Sequence, residues 1–314
     1  MPIQTTMKHI VFTIDHKFVR YCAVTLVSIL KNDKPDKLHF HILANDLTEQ
    51  DQHIFCNLCD LAGAKVSFYT VPESLLDGFS IRWEKHRLPM IVFYRCLLAS
   101  ILPSDIDKVL YLDSDILVLQ PLDELWNTDL TNKAIAGVPD DFKVNPAHCQ
   151  RLQYNISFNY FNGGVLLLNL NYWREHDIEN QCKAYYQKYP ERVIYNDQDL
   201  LNGLLHDKRV LVDNKWNVQE GAYRKPKGAS DDWKPAYLET ILHPAILHYS
   251  SKKPWQYHCM HPLANLFFTY QNFTPWKGEH VLNHIWPRIH RFIHFLPYTL
   301  GWKERKYIDL SKYQ

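Results

Sequence analysis

The chain has 314 residues, is 46% hydrophobic, and carries 9 Trp, 19 Tyr and 15 Phe. That much apolar and aromatic side chain excludes intrinsic disorder and fits one large α/β domain with an appendage, or two domains sharing a core. With 35 Lys and Arg against 34 Asp and Glu, it lacks the basic excess needed to neutralise many nucleic-acid phosphates, so no nucleic-acid partner is expected.

The first residues, MPIQTTMKHIVFTI, show no basic region followed by a sustained apolar segment and a cleavage site. No later run reaches the roughly 20 apolar residues of a membrane span. A cytoplasmic protein is expected. Seven scattered cysteines, an odd number, suit a reducing compartment better than a disulfide framework. Cys56 and Cys59 form a lone CxxC in a helical-looking segment, where core packing is the expected use. The HCMH run His258 to His261 is an equally weak metal signal.

In chain order, His9–Ile14, Leu38–Leu43 and Lys65–Tyr69 read as β-rich runs. Between the first two, Phe18, Cys22, Leu26 and Ile29 recur at helical spacing, and a second helix fits Thr48–Leu61. Strand, helix, strand, helix predicts a parallel sheet. A fourth strand, within KVLYLDSDILVL (Lys108–Leu119), runs into two aspartates, Asp113 and Asp115, one residue apart. Carboxylates at that spacing on extended chain point the same way and can share a divalent cation. The plain alternative is a turn capped by aspartate. Ligands of parallel sheets sit beyond the carboxyl ends of the strands, and that rule puts Asp15, after HIVFTI, on the same rim, so carboxylates from separate strands are expected to converge. No GxGxxG or GxxxxGK[ST] phosphate cradle occurs, which leaves a metal as the simplest way to meet phosphate charge.

Beyond Asp115 the pattern is mixed. Ala134–Val138, Gly164–Leu170 and Ala245–Tyr249 read as strands, Tyr172–Tyr189 and Asp197–His206 as helices, with no separating linker. The expected organisation is a catalytic unit over residues 7–275, nominally halved at 118 into 7–118 and 119–275, and a distinct tail at 276–314. From Lys277 the tail holds seven Lys and Arg against three Asp and Glu. Leu282, Ile285, Ile289, Phe292, Ile293 and Leu296 follow helical spacing there. A basic amphipathic helix of this kind suits an anionic membrane surface; the alternative is a helix packed on the domain and kinked by Pro287.

Six segments together resemble one family. They are VFTIDHKF, FYRCLLASIL, VLYLDSDILVLQPLDELW, FNGGVLLLNLNYWR, YNDQDLLNGLLHD and LHYSSKKPW, in that order between Val11 and Trp255. Their succession is similar to that of the retaining glycosyltransferases of family 8, whose bacterial members add glucose or galactose to lipopolysaccharide core. The resemblance implies the GT-A fold, an α/β fold with a mixed central sheet flanked by helices. It also implies a hexosyltransferase reaction using UDP-glucose or UDP-galactose, a glycan or glycolipid acceptor, and residence in the cytoplasm or on the inner membrane's cytoplasmic face.

By the same resemblance, Asp113, Asp115 and His248 are the metal ligands. A set mixing carboxylates with one imidazole suits Mn²⁺ at least as well as Mg²⁺. Asp15 and Lys17 face the uridine, and Lys253 meets the diphosphate, although the HYSSKKPW loop is one residue shorter than the family's and has Ser251 where glycine is usual. Arg95, Asp140, Asn162, Asp197 and Gln198 surround the donor sugar; Asp197 would otherwise serve as an ordinary helix N-cap. The family has a glutamine, here Gln198, beside the anomeric carbon, and an amide is a poor nucleophile. Same-face substitution is therefore expected, with Asp199 as the reserve nucleophile.

Two other classes share parts of the pattern. Haloacid-dehalogenase-type phosphatases also place DxD after a strand, but with Gly and Thr or Val following, where Ile116 and Leu117 stand here. A non-catalytic nucleotide-sugar-binding protein would fit the shortened loop. Acceptor recognition is expected in the less distinctive loops Asp141–Tyr160 and Gln219–Lys234.

Overall fold

The computed structural model describes residues 7–79, 90–140, 146–229, 234–304 and 306–313. Strands β1 (Lys8–Thr13), β2 (Leu38–Leu43), β3 (Lys65–Tyr69) and β4 (Lys108–Leu112) lie parallel in the order β3-β2-β1-β4. Each is apolar on alternate residues. Ile10, Phe12, Phe40 and Ile42 pack on one face, Val11, Leu43, Val109 and Tyr111 on the other, as a sheet covered by helices on both sides requires.

After β4 the direction changes. Strand β7 (Phe161–Asn169) pairs antiparallel with β4 and with β6 (Ile135–Pro139), and β8 (Arg209–Leu211) closes the edge parallel to β6, giving seven strands. A second sheet of three short strands, β5 (Ile116–Val118), β9 (Val218–Gln219) and β10 (Ile246–His248), has β10 in the centre. Strands β4 and β5 flank the DSD turn, so Asp113 and Asp115 sit where the chain passes from one sheet to the other.

The helices follow the sequence pattern with differences that have physical causes. Val19–Asn32 buries Cys22, Leu26 and Ile29 while Phe18 stays outside it. Its Thr25 hydroxyl donates to the Ser114 and Ile116 carbonyls, and its Ser28 hydroxyl accepts from Val118 N, so the helix grips the DSD turn and β5. Glu49–Ala62 starts at a Thr48–Asp51 capping box and ends at Gly63 with φ +78°. The predicted Tyr172–Tyr189 helix is two helices, Leu170–Glu175 and Ile178–Lys188, broken at left-handed Asp177. Pro287 does not kink the tail helix Ile285–Thr299: it lies in the first turn, where no backbone N–H is needed, and the proline deeper in the helix is Pro297.

One buried core joins residues from Ile10 to Leu247, and the end of the chain returns to it through Ile308 and Leu310. All seven cysteines are free. Among the described residues no helix is long and apolar enough to cross a membrane. At the start of β1, Lys8 is 1% exposed and its ammonium lies 2.7 Å from Asp33 and 2.8 Å from Asp123. Asp33 also accepts the Lys34 and Leu122 N–H groups. Asp33→Ala leaves the Lys8 ammonium with Asp123 alone and the Leu122 amide without its acceptor, and is expected to lower unfolding free energy by about 1–3 kcal/mol in denaturant titrations.

Candidate active site

The sheet brings Asp113, Asp115 and His248 together, with one ligand atom from each within 4.8 Å of the others. His248 Nε2 lies 3.2 Å from Asp115 Oδ1 and 3.9 Å from Asp113 Oδ2. Each carboxylate has its own cation. Arg95 Nη2 donates to Asp113 Oδ1 at 3.0 Å, beside the Tyr111 hydroxyl at 2.9 Å. Lys253 Nζ donates to Asp115 Oδ2 and to the Tyr249 carbonyl. Burial opposes the charge on Asp115, but the Lys253 ammonium holds its carboxyl well below the usual range.

A backbone amide fixes the imidazole tautomer. Gly164 N–H donates to Asn162 Oδ1 at 2.9 Å, so that atom is an oxygen, and Asn217 Nδ2 donates to the same oxygen at 2.9 Å. Asn217 Oδ1 is thereby turned to His248 Nδ1, 2.9 Å away, which must carry the proton. Nε2 is turned toward the two aspartates, the nitrogen that a metal held there would use.

The donor set fits a divalent cation on two further observations. Asp115 Oδ1 is buried with no hydrogen bond, an orphan that a cation would satisfy. A Cβ on Gly164 would overlap His248 Cε1 and lie 2.9 Å from Asp113 Oδ2, so only glycine leaves the space. Asp113 N–H donates to the Gly164 carbonyl at 2.9 Å, which locks the two strands at this point.

Beside the triad stands a polar wall. Gln198 Oε1 accepts Gly163 N–H at 2.7 Å, and its Nε2 is 3.4 Å from Asp140 Oδ2; Asn162 Nδ2 donates to Asp140 Oδ1 at 3.2 Å. Helix Asn196–Leu205 carries Gln198, and β6 and β7 deliver Asp140 and Asn162. Arg95 is a buried brace: Nη1 holds the Gly163 carbonyl at 2.5 Å, Nε lies 2.8 Å from Asp197, and the guanidinium covers Tyr111. Asp197 is not an N-cap. The cap residue is Tyr195, and burial pushes the Asp197 carboxyl up to about 6 against the pull of Arg95.

Asp199 is placed differently. As a nucleophile it would need a free oxygen at the site, yet it is wholly buried and both oxygens are taken. Arg151 binds it at 2.8 and 2.9 Å, Tyr160 OH at 2.8 Å, and the Ile194 and Tyr195 amides at 2.7 and 2.6 Å. It holds the Val193–Asn196 approach to the helix in place. Asp15 lies at the end of β1 on the rim but is outside the ligand triad; it caps the His16–Phe18 turn by accepting Phe18 N–H at 3.1 Å. Lys17 is exposed on that turn. Lys253 reaches the site across the short loop, while Lys252 points to solvent.

Asn217, Tyr111, Arg151 and Tyr160 were not singled out in the sequence. Only the glycine pair inside FNGGVLLLN signalled a close approach. Of the loops expected to read an acceptor, residues 141–145 and 230–233 lie outside those described, as does Arg305 in the tail.

Parallel β1 to β4 ending on an acidic ligand turn, with antiparallel β7 behind it, is the GT-A glycosyltransferase fold. The galactosyltransferase LgtC, solved with donor and acceptor sugar analogues, superposes with a TM-score of 0.74 at 29% identity, over 86% of this chain and 99% of that one. The chain belongs to glycosyl transferase family 8, whose sequence model matches residues 9–259. A putative glycosyltransferase of Haemophilus influenzae is 34% identical over 211 residues, 67% of this chain but 62% of the relative's length. The lipopolysaccharide glucosyltransferase WaaO of Escherichia coli is 27% identical over 87% of this chain and 80% of its own.

Gly164→Ala is expected to weaken Mn²⁺ binding by at least about tenfold in an electron paramagnetic resonance titration, because His248 is held by Asn217 and cannot step aside. Gly163→Ala, whose Cβ would meet Arg95 Nη1 at 3.0 Å and Gln198 Oε1 at 3.3 Å, should affect binding less.

Proposed function

We propose that this chain moves glucose or galactose from UDP to a hydroxyl of a cell-surface glycan, lipopolysaccharide core being the favoured acceptor, with retention of configuration. The single observation that carries the reading is the Asp113, Asp115 and His248 triad facing the Gln198, Asp140 and Asn162 wall on one rim of the sheet. Similarity to lipopolysaccharide glucosyl- and galactosyltransferases supports the substrate class.

The triad would hold Mn²⁺ or Mg²⁺, which when bound supplies Lewis-acid stabilisation of the leaving nucleoside diphosphate. Lys253 brings a second positive charge to the same phosphate side, and Asp15 and Lys17 lie at the end of β1 for the uridine. The sugar hydroxyls are met by Asp140, Asn162 and Gln198. Arg95 and Asp197 act beneath them by positioning Asp113 and the Gly163 carbonyl.

With Asp199 consumed by hydrogen bonds and an amide at position 198, no carboxylate oxygen of this pair is free to form a covalent glycosyl intermediate. The reaction is therefore assigned to same-face substitution. The anomeric carbon–phosphate oxygen bond breaks, the acceptor oxygen bonds the same face, and its proton passes to the departing phosphate oxygen. Gln198, oriented by Gly163 N–H, faces the developing positive charge with its amide dipole.

Release of UDP in the presence of Mn²⁺ and a panel of UDP-sugars tests this reading. One UDP-hexose should be turned over, and Asp113→Ala and Asp115→Ala should each lower kcat by about 10²–10³. Donor binding without turnover would indicate a non-catalytic binding protein instead. Cleavage of a generic phosphate ester with all UDP-sugars inert would favour phosphatase chemistry.

The tail helix is assigned to an anionic membrane surface on the cytoplasmic side. Trp286 and Phe292 are 69% and 67% exposed, Ile285 and Ile293 are exposed with them, and no residue of the helix is buried. Arg288 in the helix and Lys303 just beyond its end are both exposed. The full chain should float with phosphatidylglycerol vesicles, and Trp286→Ala/Phe292→Ala should stay in the soluble fraction with its UDP-hexose hydrolysis unchanged.

A further inference from the structure

A second cluster of metal-ligating side chains lies at the opposite end of the strands from Asp113. His9 is the second residue of β1, and His39 and His41 are the second and fourth of β2. His9 and His39 are register partners, and residues two apart on a strand share a face, so all three rings stand on one side of the sheet. Ring centroids are 5.5, 5.2 and 4.1 Å apart, and one ring nitrogen from each residue lies within 4.8 Å of the others.

We propose that His9, His39 and His41 form a zinc-class cation site, separate from the catalytic triad, that clips β1 to β2. His9 Nδ1 and His41 Nε2 face each other at 2.9 Å. Metal–nitrogen bonds of about 2.0–2.1 Å in a tetrahedral site separate two ligand nitrogens by roughly 3.3 Å, so the rings need open by only about half an ångström. The outward nitrogens are already engaged as ligating histidines require: His41 Nδ1 with Tyr69 OH and His39 Nε2 with Ser67 Oγ, both at 2.9 Å from β3. His41 is fully buried, whereas His9 and His39 are half-buried and leave an entry path.

Ligand chemistry separates the two sites. Three imidazoles with no carboxylate among them favour Zn²⁺, Co²⁺, Ni²⁺ or Cu²⁺ over oxygen-seeking Mg²⁺ and Mn²⁺. The fourth position is open to water, and the site's consequence is structural because it joins two strands far from the sugar.

The test uses tag-free, chelator-treated full-length protein carrying Asp113→Ala and Asp115→Ala, which removes the competing carboxylates. Co²⁺ added to it should give the intense visible bands of a four-coordinate centre, one per chain. Zn²⁺ should abolish those bands and raise the thermal midpoint, and Mn²⁺ should do neither. His9→Gln and His39→Gln, both at half-buried positions, should each weaken Zn²⁺ at least about tenfold in competition with a chromophoric chelator. Weak, octahedral-type Co²⁺ absorption, or Zn²⁺ affinity unchanged in a folded His39→Gln chain, would overturn the proposal and leave a hydrogen-bonded His–His–Tyr ladder.

Discussion

Two carboxylates whose oxygens lie within 4.8 Å of each other repel unless positive charge surrounds them, and much of the fold is arranged to supply it. Arg95 comes from the segment before β4 and Lys253 from the loop after β10, while β10 itself brings in the third ligand, His248. The three-stranded sheet exists at the place where His248 must face Asp115: β10 pairs antiparallel with β5, and His248 is the register partner of Ile116. The Val19–Asn32 helix then fixes the turn through hydroxyls rather than apolar contact alone, because the turn's carbonyls are buried and must be bonded.

Neighbouring aspartates on one helix take opposite parts. Asp197 faces Arg95 at the site with a carboxyl pushed toward neutrality, while Asp199 points away into a nest of Arg151, Tyr160 and two amides. Spacing alone cannot tell these apart, since both fall in the first turn. Hydrogen-bond saturation does.

The parallel half of the sheet was readable because β1, β2, β3 and β4 are short apolar runs, with helical spacing between β1 and β2 and a capped helix between β2 and β3. The DSD turn, the FNGG strand and the YNDQD helix were readable as segments of one family. What the sequence could not convey is who braces whom. Asn217 sits in an irregular stretch with no periodicity, yet it decides the His248 tautomer. Arg95 reads as a sugar-binding residue by position but donates to the Gly163 carbonyl and Asp113 and pairs its charge with Asp197. The break at Asp177 depends on a left-handed residue that helix propensity does not reveal, and the harmless Pro287 depends on where the helix begins.

The tail helix is fastened on both sides. Ahead of it, Glu279 is held by Arg20 and Gln271; behind it, Tyr307 reaches buried Glu220 and bridges Arg224 before Ile308 and Leu310 enter the core. Arg291 adds a third tie at the Tyr257 and Cys259 carbonyls. A helix tethered in this way works as a fixed foot rather than a swinging arm. On the membrane surface proposed for it, such a foot would set the altitude of the candidate site, so that acceptors would be chosen by how far their hydroxyl stands from the plane as well as by its chemistry.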